Sequence, residues 1–193
     1  MPVAAWTDAI LALCAGLTAV ALLSRGSPSA RTTGLGLLFV CLAAAVGTLR
    51  LDGMEQLALP HDGLSGLAAF VGLPLVGAGW ATAAFAPERA STVRLAVLVP
   101  LLLAGLVLWP VELLRTVLGG AGMVAVLVSS VRLRSDPIAA TLGLVGALLT
   151  VGVGLGIGTE GELAGFPRVG WFHLGLALGA IGLGGILRIR DSG

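Results

Sequence analysis

The sequence contains no lysine, no tyrosine and no asparagine, and all eleven of its basic residues are arginine. Without a lysine amine there is no Schiff-base chemistry, which closes the retinal-binding reading that a seven-helix chain invites. The phosphate-loop pattern GxxxxGK[ST] is excluded for the same reason. Cysteine is scarce too: Cys14 and Cys41 each sit mid-way along an apolar run and read as small buried hydrophobes. Neither a CxxC pair nor a zinc-type Cys/His spacing occurs. Charge is the largest shortage, at 11% of residues against ~25% in soluble domains. Together with 57% hydrophobic residues and 30 glycines, it excludes a water-soluble globule and leaves no basic surface for nucleic acid.

What remains is a set of apolar runs at about 4–23, 33–51, 63–86, 92–109, 111–131, 137–157 and 170–187. Each is near the ~20 residues a helix needs to cross ~30 Å of hydrocarbon. Seven such spans occupy most of the 193 residues, so the expected fold is all-α: one seven-helix transmembrane domain over 1–193. The fourth run is the least regular. It contains Pro100 and meets the fifth through a Trp109-Pro110 turn tight enough for a re-entrant hairpin. Pro74 and Pro100 predict kinks rather than ends.

The arginines set the expected orientation. Alternate loops give Arg25, Arg31, Arg89, Arg94, Arg132, Arg134, Arg188 and Arg190 to one side, and Arg50, Arg115 and Arg168 to the other. The positive-inside rule then places the N-terminus out and the C-terminus in. No basic segment precedes the first run, so it reads as a retained span rather than a signal peptide. The bias toward Ala, Gly, Leu, Val and Arg fits a GC-rich bacterial genome, and hence a multi-pass protein of the inner membrane, contacting lipids and other membrane subunits.

Glycine is read first as packing. Gly175 and Gly179 form a GxxxG pair, and Gly152, Gly154, Gly156 and Gly158 give the sixth span two small-residue faces. No strands are expected. A faint parallel order links spans one to three with spans five to seven, each set having an early acid, paired inner arginines, an acidic outer loop and a late histidine. It permits a 3+1+3 transporter.

Most of the polar chemistry falls at one face. Asp8 lies about a turn inside the first span, either as a helix-end charge after a Thr7 cap or as a buried functional acid. His173 opens the last span, His61 follows Pro60 in an outer loop, and Arg50 ends the second span within reach of Asp52, Glu55 or an anionic ligand. Glu112 and Arg115, three apart on one helix face, form an expected ion pair. His61, His173 and a carboxylate such as Asp8 are the minimum for an open zinc site, although none of them share a helical spacing.

The run from Trp6 to Leu13 (Trp-Thr-Asp-Ala-Ile-Leu-Ala-Leu), Trp171-Phe172-His173-Leu174-Gly175-Leu176, and the closing Arg188 and Arg190 resemble a group of uncharacterised bacterial seven-span proteins. These are similar in turn to the membrane hydrolase superfamily of alkaline ceramidases and adiponectin-type receptors. The resemblance implies a seven-helix lipid hydrolase holding zinc through three histidines. This chain has two, its second span ends Gly47-Thr48-Leu49-Arg50 where a histidine is expected, and its last span has no HxxxH.

The leading expectation is therefore a non-enzymatic bundle without a metal cofactor. Its polar pocket of Asp8, Arg50, His61 and His173 would take a small ligand or a lipid headgroup, or serve a larger assembly. A metal-dependent lipid hydrolase and a small transporter are the alternatives.

Overall fold

A chain this apolar has little but itself to satisfy its backbone polar groups, which favours helix throughout. The computed structural model describes residues 2–25 and 27–189. It contains α1 (Val3–Arg25), α2 (Pro28–Leu51), α3 (Ala58–Leu67), α4 (Leu73–Phe85), α5 (Ala90–Leu108), α6 (Glu112–Arg132), α7 (Pro137–Gly152) and α8 (Arg168–Leu183). A five-residue π segment, Ala68–Gly72, joins α3 to α4, and a second, Val153–Ile157, extends α7. Seven helical segments are long and apolar enough to cross a membrane: Val3–Ser24, Pro28–Leu51, Glu55–Phe85, Pro87–Leu108, Glu112–Arg132, Pro137–Ile157 and Arg168–Arg188. Arg190, part of the charge count and of the resemblance, lies outside the described residues, as does the side chain of Arg25.

Local chemistry fixes several helix starts. Ser27 caps α2 by accepting the Ala30 N–H, with Pro28 in the first turn, where its missing donor costs nothing. Asp136 caps α7 in the same way, accepting from Ala139 at 3.0 Å ahead of Pro137. The N–H of Ala139 is the main reason the Asp136 carboxyl lies below the usual carboxylate range, with Arg188 at 3.5 Å adding to it.

The helices close a ring. α1 packs on α2 and α8, α2 on α4, α4 on α6, α6 on α7, and α7 on α8. One core cluster runs through this ring, from Leu11, Ala15, Ala19 and Leu22 of α1 to Trp80, Met123, Val126, Ala147 and Leu183. Small residues bring the backbones together: a Cβ on Gly77 would strike the carbonyl of Gly122, and one on Gly146 would meet the backbone of Gly179 and Leu183. The Gly175 and Gly179 pair packs likewise, against Val153 and Thr150.

The fourth span is the helix α5, unbroken through Pro100 and set outside the ring against α4. Three expectations are corrected. The third span starts earlier than 63, because Pro60 falls in the first turn of α3, where proline is tolerated; His61 therefore sits in a helix, not a loop. Gly152, Gly154, Gly156 and Gly158 pack against nothing, since a Cβ at each meets open space. Between α7 and α8 the chain forms a small antiparallel hairpin, Glu162–Leu163 with Phe166–Pro167, where no strand was expected. Its two turn residues, Ala164 and Gly165, both have positive φ, which is what a two-residue hairpin loop requires.

Candidate functional site

Asp8 and His173 occupy equivalent depths, each the sixth residue of its helix, and the packing of α1 on α8 sets them face to face. His173 Nδ1 lies 3.3 Å from Asp8 Oδ1 and 3.4 Å from Thr7 Oγ1. The Thr7 hydroxyl donates its own proton to the Ala4 carbonyl at 3.0 Å, so toward the imidazole it accepts. His173 Nδ1 thus carries the proton, and its Nε2 is left as an acceptor. Asp8 is 2% exposed and His173 is 8% exposed.

His61 approaches from α3. Its Nδ1 is 3.2 Å from the Ala43 carbonyl, which only accepts, so here too Nδ1 is the protonated nitrogen and Nε2 the acceptor. Gly47 of α2 makes the approach possible. A Cβ there would collide with Asp8 Oδ2 and lie 2.7 Å from His61 Cε1. With no side chain at Gly47, the Asp8 carboxylate and the His61 ring close together against the α2 backbone. Asp8 Oδ2 itself is buried and has no hydrogen-bond partner.

These groups cap a cavity of about 500 Å³ between α1, α2, the α3–α4 helix, α7 and α8. Its walls follow helical stripes: Leu37, Val40 and Ala44 on α2, and Val169, His173, Leu176, Ala180 and Leu183 on α8. Fourteen residues of α8 separate Val169 from Leu183, so the cavity is a slot roughly 20 Å deep at 1.5 Å per residue. Apart from the polar cap it is lined mainly by apolar side chains, with Ser65, Thr150 and Thr159 adding hydroxyls. At the mouth Arg50 pairs with Asp62 at 3.4 Å and separates the slot from a shallower hollow lined by Leu51, Gly53, Glu55 and Ala58.

Asp8, Arg50, His61 and His173 thus all line one cavity, as the sequence reading grouped them. The α1 helix begins at Val3, so Thr7 is no cap; it orients His173 instead. Glu112 and Arg115 are not among the ion pairs of the described residues. Both lie at the start of α6 without packing to hold their heads together. Sequence reasoning missed Gly47 as the close-approach residue and Asp62 as the partner of Arg50. The i, i+1 step from His61 to Asp62 was the available clue, readable only once that stretch is known to be helical.

The sequence matches no protein-family model, no curated protein and no solved structure. The zinc implied by the resemblance can be tested on the donors themselves. Among the described residues no group of three or more His, Cys, Asp or Glu side chains could hold a metal ion. Asp8 Oδ1 is spent on His173, and the third histidine does not exist in the sequence. The donor set does not fit that zinc site.

Proposed function

We propose that this is a multi-pass protein of a bacterial inner membrane, N-terminus outside, whose slot binds one single-chain amphiphile. The head would lie at Asp8, His61, His173 and Arg50 and the chain along α2 and α8. The observation that carries this reading is the shape and chemistry of the slot: polar at one end, aliphatic for the rest. At about 500 Å³ over its depth it is wide enough for one extended chain and too narrow for two abreast. From His173 to Leu183 the slot runs ten residues of α8, about 15 Å, matching the ~15 Å of hydrocarbon in one leaflet.

Buried apolar area drives such binding, and the polar cap fixes which end enters last. The site needs no chemistry on the ligand, in keeping with a carrier, sensor or subunit rather than an enzyme. Native mass spectrometry of the full-length protein released from micelles tests the reading. One single-chain lipid adduct per protein is expected. The Ala180→Phe variant, which fills the slot at depth, should lose the adduct while keeping the helical circular dichroism of the parent. A parent that carries no adduct even after incubation with lysolipid, fatty acid or long-chain amine overturns the proposal.

A further inference from the structure

Among the described residues none of α5 or α6 lines the slot, which leaves one side of it without a wall. α6 is placed to close that side, since it packs on both α4 and α7. It meets α7 at the tight end of the bundle, where a Cβ on Gly143 would strike the Ser130 hydroxyl. Toward the other end it follows the third span instead: a Cβ on Gly119 would press on Leu73 and the Ala69 carbonyl. The Val153–Ile157 extension of α7 leans the opposite way and packs on α8. α6 and the end of the sixth span therefore splay apart, and the gap between them leads into the slot.

Both edges of this gap leave room. Ser65 and Ala69 stand one helical turn apart on the third span, Thr150 and Gly154 one turn apart on the sixth, and all four line the slot. A Cβ on Gly152, Gly154 or Gly156 would meet nothing, and Leu155 beside them is 76% exposed. Gly154 lies three residues inside the end of the apolar segment Pro137–Ile157, so the gap falls within the length that would stand in hydrocarbon. The charged residues of the lining, Asp8 and Arg50, belong to the capped end.

We propose that the gap is a lateral window through which the ligand's chain passes between the slot and the surrounding lipid. This inference rests on the amphiphile reading above and adds the route. Entry by the mouth at Arg50 would draw the whole chain through water and expose every methylene, whereas the window keeps it among hydrocarbon throughout.

The test uses the full chain in phosphatidylcholine nanodiscs. Bound palmitate is exchanged for perdeuterated palmitate, and native mass spectrometry follows the exchange. Gly154→Phe puts a ring into the gap; Gly120→Phe on α6 also meets open space but does not line the slot, and is the matched control. Gly154→Phe is expected to slow exchange at least tenfold with the palmitate-bound fraction at equilibrium within twofold of the parent, because a narrowed path slows entry and exit alike. Gly120→Phe should exchange within twofold of the parental rate. Parental exchange in Gly154→Phe overturns the window, and so does equal slowing in the two variants. A spin label on Gly154→Cys, in a chain that also carries Cys14→Ala and Cys41→Ala, reads the same point without any ligand. It should collide more often with dissolved oxygen than with an aqueous nickel chelate, and the reverse order overturns the window. A parent that carries no palmitate counts against the amphiphile reading itself, and the spin label then decides the window alone.

Discussion

The two ends of the bundle are built on opposite rules. At the end that holds Ser29, Thr82 and Ser130, glycines let backbone touch backbone: a Cβ on Gly79 would strike the Ser29 carbonyl, and one on Gly146 the Leu183 amide. Trp80 fills the centre there, fully buried, with its indole N–H donated to the Leu183 carbonyl at 3.2 Å. At the end that holds Asp8, His61 and His173 the helices stand apart. Gly47 there meets side chains, and Gly152, Gly154 and Gly156 meet nothing. Both π segments edge this open region, and Ala68, Ala69 and Gly154 from them line the slot. Insertions of this kind inside helices recur at functional sites. The tight end supplies the stability that lets the other end keep a cavity and an unpaired acid.

That contrast can be broken by measurement. Trp80→Ala should have the largest effect, a loss of about 3–5 kcal/mol read from the thermal midpoint in detergent, because a buried aromatic leaves a cavity and an orphaned carbonyl. Gly79→Leu comes next: its side chain would meet the Ser29 carbonyl and the Thr33 amide, at a cost of about 1–3 kcal/mol or more. The matched change Gly154→Leu meets open space and should stay within about 0.5 kcal/mol of the parent. Equal losses for the two leucines would erase the distinction between the ends.

Asp8→Leu sharpens it further. Replacing a buried acid that has one oxygen on His173 and the other unpaired with an apolar side chain should leave stability level or raise it by about 1 kcal/mol, while ligand retention is lost. A loss above about 2 kcal/mol would instead make Asp8 a structural residue. The smallest expected effect is at the tight end. The Asp136 carboxyl lies below its ordinary range, so its contribution is full at neutral pH and disappears as pH falls through that lowered value, below about 4. Acid should lower the midpoint of the parent in that window, and Asp136→Asn, which keeps a capping oxygen, should show less of this drop.

The span plan was legible because hydrocarbon-length apolar runs separated by arginine-bearing breaks admit few other threadings. The start of α3 was not, since Pro60 looks like a loop residue until its place in a first helical turn is known. The glycines of α7 were misread for a related reason. Spacing shows that a face is small, but not whether a neighbour occupies it. Asp8, Arg50, His61 and His173 were legible as candidates because polar side chains in so apolar a chain are few. The ion pair proposed for Glu112 and Arg115 rested on helical spacing alone, and an unpacked face does not hold two long side chains together.

By itself the sequence determined that this chain is helical, how many long apolar helices it has, and which few residues carry polarity. These follow from composition and local period, which act one helix at a time. Only the tertiary structure decided that α1, α2, α3 and α8 bring their polar residues to one point. It also decided that Gly47 lets Asp8 and His61 close on the α2 backbone, and that a slot lies against them. Such convergence depends on which faces meet across the bundle, and no single helix carries that information in its own sequence.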